Sequence, residues 1–349
     1  MKRTIFIILL LATIFSCTKT LDFDEANNET QLVLNSIIWP DSVFSASISK
    51  STSILMDKQV GQITGGTLDL YENGTLLTQI TSPTGQFYAS GIKPKAGKSY
   101  RIVVNSNGKQ IEAETTIPDQ TEVLSIDTSS VKDEYGYKRI NYKVKIKDPV
   151  GDDYYRIVVM NETLSKMTFI DSEKKKTTAY YLQKMQYSIL SDDPVFNSVY
   201  NNMGEDIIDM GPENDYNIFP DDYFKGKEYS VQFQISPYGY GYYSPYSPGF
   251  GYDPNSPNNT IFERNTIHIQ KLSKDLYNYL KYLKLHNHYR DNPFSEPVPV
   301  YSNIKNGTGI FAGFNDNAVS HFEKVYIPFS MDTIKIEEQY GGYNYGGGY

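Results

Sequence analysis

Residues 67–80 read TLDLYENGTLLTQI. Two arms built from Leu, Thr, Tyr and Ile flank Asn73-Gly74. Asn-Gly suits a two-residue hairpin turn because both positions accept a positive φ. The stretch therefore predicts a β-hairpin. The same device returns in SYRIVVNSNGKQIEAETTIP (99–118), around Asn107-Gly108. Upstream, QLVLNSII (31–38) is a short apolar run that can enter a sandwich core. FSASISKS (44–51) alternates Phe44, Ala46 and Ile48 with serines, the period of a half-buried strand. Short strands punctuated by turn signals predict an immunoglobulin-like β-sandwich over residues 30–118. Ile117-Pro118-Asp119 breaks the pattern at its end.

A larger β-rich domain is predicted over 119–335. In YGYKRINYKVKIKDP (135–149), Ile140, Tyr142, Val144 and Ile146 share one face, and Asp148-Pro149-Val150-Gly151 is a turn. DYYRIVVMNE (153–162), AYYLQKMQYSI (179–189), EYSVQFQISPY (228–238) and RNTIHIQKL (264–272) continue the strands. One helix is predicted near 273–290. Ser273 can cap it, Leu276, Leu280, Leu283 and Asn287 repeat at three to four, and Pro293 lies past its end. GIFAGF (309–314) and HFEKVYIPF (321–329) read as two final strands, and 336–349, ending in QYGGYNYGGGY (339–349), as a disordered tail. The fold class is thus mainly β.

The start of the chain has a different character. Lys2 and Arg3 precede an apolar run, Ile5 to Phe15, interrupted only by Thr13. It is too short to span a bilayer, which takes about 20 helical residues, and fits the roughly 7–15 of a secretory leader. The run ends in Ile14-Phe15-Ser16-Cys17, and Cys17 is the only cysteine. A small residue before a cysteine, with an aliphatic residue two places earlier, resembles the bacterial lipobox. In that motif the thiol takes a diacylglycerol and the cysteine becomes the new N-terminus. A lone thiol cannot form an internal disulfide, and acylation gives it a purpose. Residues 1–16 are accordingly read as a lipoprotein signal peptide, Cys17 as the lipidation site, and 17–29 as an acidic tether carrying Asp22, Asp24, Glu25 and Glu29. The tether loosely resembles an export signal to the outer face of an outer membrane.

Composition narrows the partners. The formal charge is −8, and it becomes −10 when Lys2 and Arg3 leave with the leader. Lys174-Lys175-Lys176 is the longest basic run and reads as a solvated hairpin. Such a chain is poorly suited to nucleic acid. Among 31 tyrosines, Tyr238, Tyr240, Tyr242, Tyr243, Tyr246 and Tyr252 crowd a Pro/Gly/Ser-rich loop at 237–254. Rings with a polar tip give large contact area at low rotamer cost, so this row is read as a partner-contact surface.

No catalytic apparatus is assigned. Of four histidines, His286 and His288 sit two apart on the predicted helix, so their side chains diverge by about 200°. His268 and His321 lie in strands without an adjacent acid–nucleophile pattern. Gly-x-Ser-x-Gly, His-Glu-x-x-His and Walker loops are absent from the sequence. The acidic stretch from Ser191 to Lys225, with Asp192, Asp193, Glu205, Asp206, Asp209, Asp215, Asp221 and Asp222, could suit calcium, but it lacks an EF-hand spacing. Asp152-Asp153 and Asp192-Asp193 read as turn acids. No metal ligand or cofactor is assigned. Asp41-Ser42-Val43 and Asp332-Thr333-Ile334 resemble a short O-glycosylation motif.

Several segments, in order, resemble one family. They are QLVLNSII, ITGGTLDLYENG (63–74), AGKSYRIVV (96–104), Ile117-Pro118-Asp119, DPVGDDYYRI (148–157), SDDPVF (191–196), FKGKEYSVQFQI (224–235) and NPFSEPVPVYSNIKNGTGIFAG (292–313). Together, behind a lipobox, they are similar to the Bacteroidota lipoproteins grouped as domain of unknown function 4249. The resemblance implies a surface-facing outer-membrane lipoprotein that is no enzyme and accompanies a TonB-dependent β-barrel transporter. It implies no active-site residues. Two other roles stand beside it: an assembly component of a larger outer-membrane complex and, ranked last, a carbohydrate-active enzyme working through two carboxylates.

Overall fold

The computed structural model describes residues 30–51, 63, 65–136, 138–170, 176–200, 212–235, 259–290, 296, 298–325 and 336–340. The first strands are β1 (Leu32–Ile38), β2 (Phe44–Lys50), β3 (Gly66–Glu72), β4 (Thr75–Ser82), β5 (Gln86–Ala89), β6 (Ser99–Ser106) and β7 (Lys109–Thr116). Then come β8 (Glu122–Lys132), β9 (Lys138–Lys147), β10 (Tyr154–Ile170), β11 (Lys176–Tyr187) and β12 (Ile189–Leu190). A single helical turn, α1 (Pro194–Asn197), leads to β13 (Ile218–Pro220), β14 (Glu228–Ile235) and β15 (Asn259–Leu272). The helix α2 (Lys274–Tyr289), β16 (Thr308–Val325) and β17 (Ile336–Tyr340) complete the order. The protein is mainly β. No helix among the described residues is long and apolar enough to cross a membrane.

Both Asn-Gly hairpins form. Asn73 and Gly74 sit at φ 47° and 83°, and Asn107 and Gly108 at 50° and 73°, the doubly positive turn that matches strand twist. They join β3 to β4 and β6 to β7 within a sheet ordered β4-β3-β6-β7. Its apolar face, with Leu68, Leu70, Ile102, Val104, Ile111 and Ala113, shares a core with Leu32, Leu34, Phe44, Ala46, Ile48 and Phe87. The latter come from β1, β2 and β5, the edge of a nine-stranded sheet.

That sheet runs β17-β11-β10-β15-β16-β1-β2-β5, with β13 paired to β10. A third sheet, β12-β14-β9-β8, contributes Ile140, Tyr142, Val144, Ile146, Val231 and Phe233 to a second, larger core. Ile157, Val159, Ile267 and Ile269 of β10 and β15 line its other side.

Strand β16 belongs to both interiors. Residues 308–313 run parallel to β1, and 314–325 run antiparallel to β15. Ile310 and Ala312 enter the larger core, while Phe311 enters the smaller one. The close pairing explains Gly309. Its φ is 109°, and a Cβ there would lie 2.0 Å from the Leu34 carbonyl oxygen. Only glycine fits.

Three expectations change. The two final strands predicted at 309–314 and 321–329 are one strand across 308–325, because the intervening polar residues still pair with β15. Asn315 and Asn317 of that stretch donate to the carbonyls of Pro118 and Thr121 at 3.0 and 2.9 Å, which satisfies their amides. The tail expected to be disordered from 336 contributes β17, parallel to β11, where Ile336 to Tyr340 complete an open strand edge; 341–349 lie outside the described residues. The helix forms where expected and Ser273 caps it, accepting from the Leu276 N–H at 3.2 Å. Its buried face, however, is Leu276, Tyr277, Leu280 and Leu285, whereas Asn287 is exposed. The stripe rotates because Tyr277 stacks on Tyr154 with centroids 4.6 Å apart.

Candidate functional site

Three acids from two distant stretches of sequence meet at one end of the larger core. Asp148 follows β9, and Asp153 precedes β10. Asp221 follows β13, whose Pro220 pairs with Tyr154 of β10. One carboxylate oxygen from each lies within 4.8 Å of the others. Asp148 is 3% and Asp221 2% exposed.

Backbone contacts fix the two turns against each other. The Asp221 N–H donates to the Asp153 carbonyl at 3.0 Å, and the Asp148 N–H to the Lys227 carbonyl at 3.0 Å. Asp148 is held from both sides: Tyr155 donates its hydroxyl to Oδ1 at 2.5 Å, and the Gly226 N–H donates to Oδ2 at 2.7 Å. The buried Lys271 ammonium lies 2.7 Å from Asp153 Oδ2. Asp221 Oδ2 is buried and has no hydrogen-bond partner among the described residues. Burial above all raises the Asp221 carboxyl above the usual range; its backbone hydrogen bond to Asp153 opposes this, repulsion from Asp148 and Asp153 adds to it, and Lys225 offsets a little. Three carboxylates thus face one buried ammonium. Unpaired charge in such a place costs several kcal/mol per ion, roughly, unless a counter-charge or proton is held there. The donor set is all oxygen, as hard cations prefer.

The sequence reading took Asp152 and Asp153 as turn acids and did not couple them to Asp221. Asp152 is indeed exposed and pairs with Lys225, but Asp153 turns inward to Lys271. No fixed spacing joins residues 148 and 221. The available signal was that DPVGDD and the Pro220-Asp221-Asp222 turn each abut a strand carrying a buried aromatic residue, Tyr155 and Phe219. Asp193 is a turn acid in full: it caps α1 through the Val195 N–H and also accepts from the Gln232 N–H and the Tyr229 hydroxyl.

The residues expected to carry anchoring and contact lie outside the described residues. These are Cys17 and the row Tyr238, Tyr240, Tyr242, Tyr243, Tyr246 and Tyr252, which connects Ile235 of β14 to Asn259 of β15. Other tyrosines serve the interior. Tyr100 donates to Glu72 at 2.5 Å and Tyr301 to Asp275 at 2.6 Å, repeating the Tyr155–Asp148 and Tyr229–Asp193 arrangement. The ring fills apolar space and the hydroxyl satisfies a carboxylate.

The histidines stay apart. His286 places Nδ1 2.7 Å from the Val298 carbonyl, and His288 sits edge-on to Tyr289. His321 lies edge-on to Tyr142. His268 Nδ1 meets Asp316 Oδ2 at 2.6 Å across β15 and β16, a His–acid pair that the sequence reading did not see. No hydroxyl among the described residues hydrogen-bonds its other ring nitrogen.

Comparison with curated proteins finds no match. The model of the family described as domain of unknown function (DUF4249) matches residues 18–319, and the chain belongs to that family.

Proposed function

We propose that this protein is an outer-membrane lipoprotein of the kind found in Bacteroidota, facing the cell surface and anchored by acyl chains on Cys17. It acts without catalysis of its own, as an accessory binding partner of a TonB-dependent β-barrel transporter. The observation that carries the reading is the place of the only cysteine. Cys17 follows the apolar run Ile5 to Phe15 by two residues and stands directly before residue 18, where the family match begins. Two acyl chains at such a thiol give stable anchoring, since each buried methylene contributes about 0.8 kcal/mol. The tyrosine row between β14 and β15 supports a contact role, because such rings bind at low entropic cost.

The test is recovery of the tagged protein from detergent-solubilised membranes. A β-barrel protein in fixed ratio is the expected result, and a lone monomer would overturn the partnership. Cys17→Ser should abolish palmitate labelling and release the protein from the membrane fraction; unchanged fractionation would overturn the anchor. Depletion should reduce uptake of one nutrient. General envelope damage would instead favour an assembly role.

A further inference from the structure

We propose that Asp148, Asp153 and Asp221 bind a divalent cation of calcium's class, which clamps the turn between β9 and β10 to the turn after β13.

The distances allow it. Calcium holds oxygen ligands at about 2.3–2.6 Å, so two ligands of one ion stand at most about 5 Å apart. The three carboxylates meet that limit, each offering an oxygen within 4.8 Å of the others. Their existing bonds leave the right lone pairs. Lys271 occupies Asp153 Oδ2, leaving Oδ1. Tyr155 and Gly226 each take one lone pair on Asp148, and each of those oxygens keeps another.

Asp221 is the second, independent observation. It is 98% buried, and its Oδ2 meets no donor among the described residues. Buried polar atoms in native proteins almost always have a partner. The protein cations around it are committed to other acids, Lys271 to Asp153 and Lys225 to Asp152. No described residue therefore satisfies Asp221. A hard, positively charged group accepting several oxygens matches both the geometry and the surplus charge. Magnesium usually keeps most of its water and takes one or two carboxylates, so three converging carboxylates favour the larger ion.

The experiment uses the full chain, purified in detergent and stripped with EGTA. Calcium chloride in excess should raise the thermal unfolding midpoint by about 4 °C, as for a ligand bound only to the folded state. EGTA should reverse the shift. Terbium should give tyrosine-sensitised emission that calcium displaces, with Tyr154 and Tyr155 beside the site as donors. Asp221→Asn keeps the side-chain shape and should abolish both responses. Asp222→Asn, at the exposed neighbouring acid, should keep them. Absence of any calcium response in the unaltered protein would overturn the proposal, and that measurement does not depend on a variant folding. A response that Asp221→Asn retains would also overturn it, because the ion would then sit elsewhere. So would an Asp221→Asn protein whose midpoint rises regardless of calcium in the absence of any calcium response by the parent, which would mark Asp221 as an acid kept protonated.

Discussion

Ile310 and Phe311 are neighbours in the chain and face different interiors. On the Phe311 side the filling is aliphatic and aromatic, with one phenol, Tyr100, and the other buried polar groups are small hydroxyls such as Ser36 and Ser106. Each of those two serines donates to a nearby carbonyl, Ser36 to Ser45 and Ser106 to Gly65, both at 2.7 Å. On the Ile310 side the interior borders Asp148, Asp193, Asp221, Lys271, Asn161 and Asn265, all buried. The amide of Asn161 donates to Asn265, which donates in turn to Tyr142, at 2.9 and 3.2 Å. One interior is held by removing carbon from water; the other adds a polar network whose every member must be met. The difference bears on where binding chemistry can reside, since among the described residues the buried charged side chains border the second interior.

The strongest way to break the comparison is to remove the strand that separates the interiors. Gly309→Ala would force a methyl into the Leu34 carbonyl at a positive φ. We expect a loss of more than about 4 kcal/mol and failure of both cores, read as loss of the cooperative urea transition. Phe311→Ala should cost about 4 kcal/mol by opening a cavity in the smaller core alone. Hydrogen exchange should then quicken in β3 and β6 while β9 and β14 keep their protection. Equal loss in both would show that the interiors unfold as one. Asp193→Ala acts on the other side. It strips an acceptor from the Val195 and Gln232 N–H groups and the Tyr229 hydroxyl, and should cost about 2 kcal/mol, measured as a fall in urea midpoint.

The smallest effect near neutrality is a difference in alkaline sensitivity. Burial raises the phenol pKa of Tyr200 and Tyr277; burial and then a carboxylate partner raise Tyr229, and Tyr301 to about 12. All four pack in or against the larger core, whereas Tyr100 is the comparable group of the smaller one. A phenol whose folded pKa exceeds its unfolded value, about 10, binds more protons when folded. Its stabilising contribution is full below pH 10 and is lost as pH rises through the folded value. Stability should therefore fall from pH 10 upward, with exchange quickening first around β14 and α2.

Much of the smaller core is legible in the residues. Alternation at Phe44, Ala46 and Ile48 and the two Asn-Gly turns are local signals, and each appears as read. The parallel partner of β1 is not legible at residues 30–118, because it arrives from 308–313 and parallel pairing leaves no turn between the partners. The carboxylate cluster was hidden for a similar reason. Asp148 and Asp221 each look like ordinary turn acids, and only the β10–β13 pairing brings them together. The tyrosines were legible in part. Tyr142 was read on an apolar strand face and is buried there, but nothing marked Tyr100 and Tyr155 as almost wholly buried. Composition does not say whether a phenol has a buried carboxylate to meet.

The shared strand also dictates a sequence of events. Because β1 lies against residues 308–313, the N-terminal strands cannot finish their sheet until nearly all of the chain is present. A polypeptide delivered N-terminus first would carry an unzipped ribbon edge through most of its passage, where other chains could attach. A version cut short before Thr308 would keep that edge permanently open.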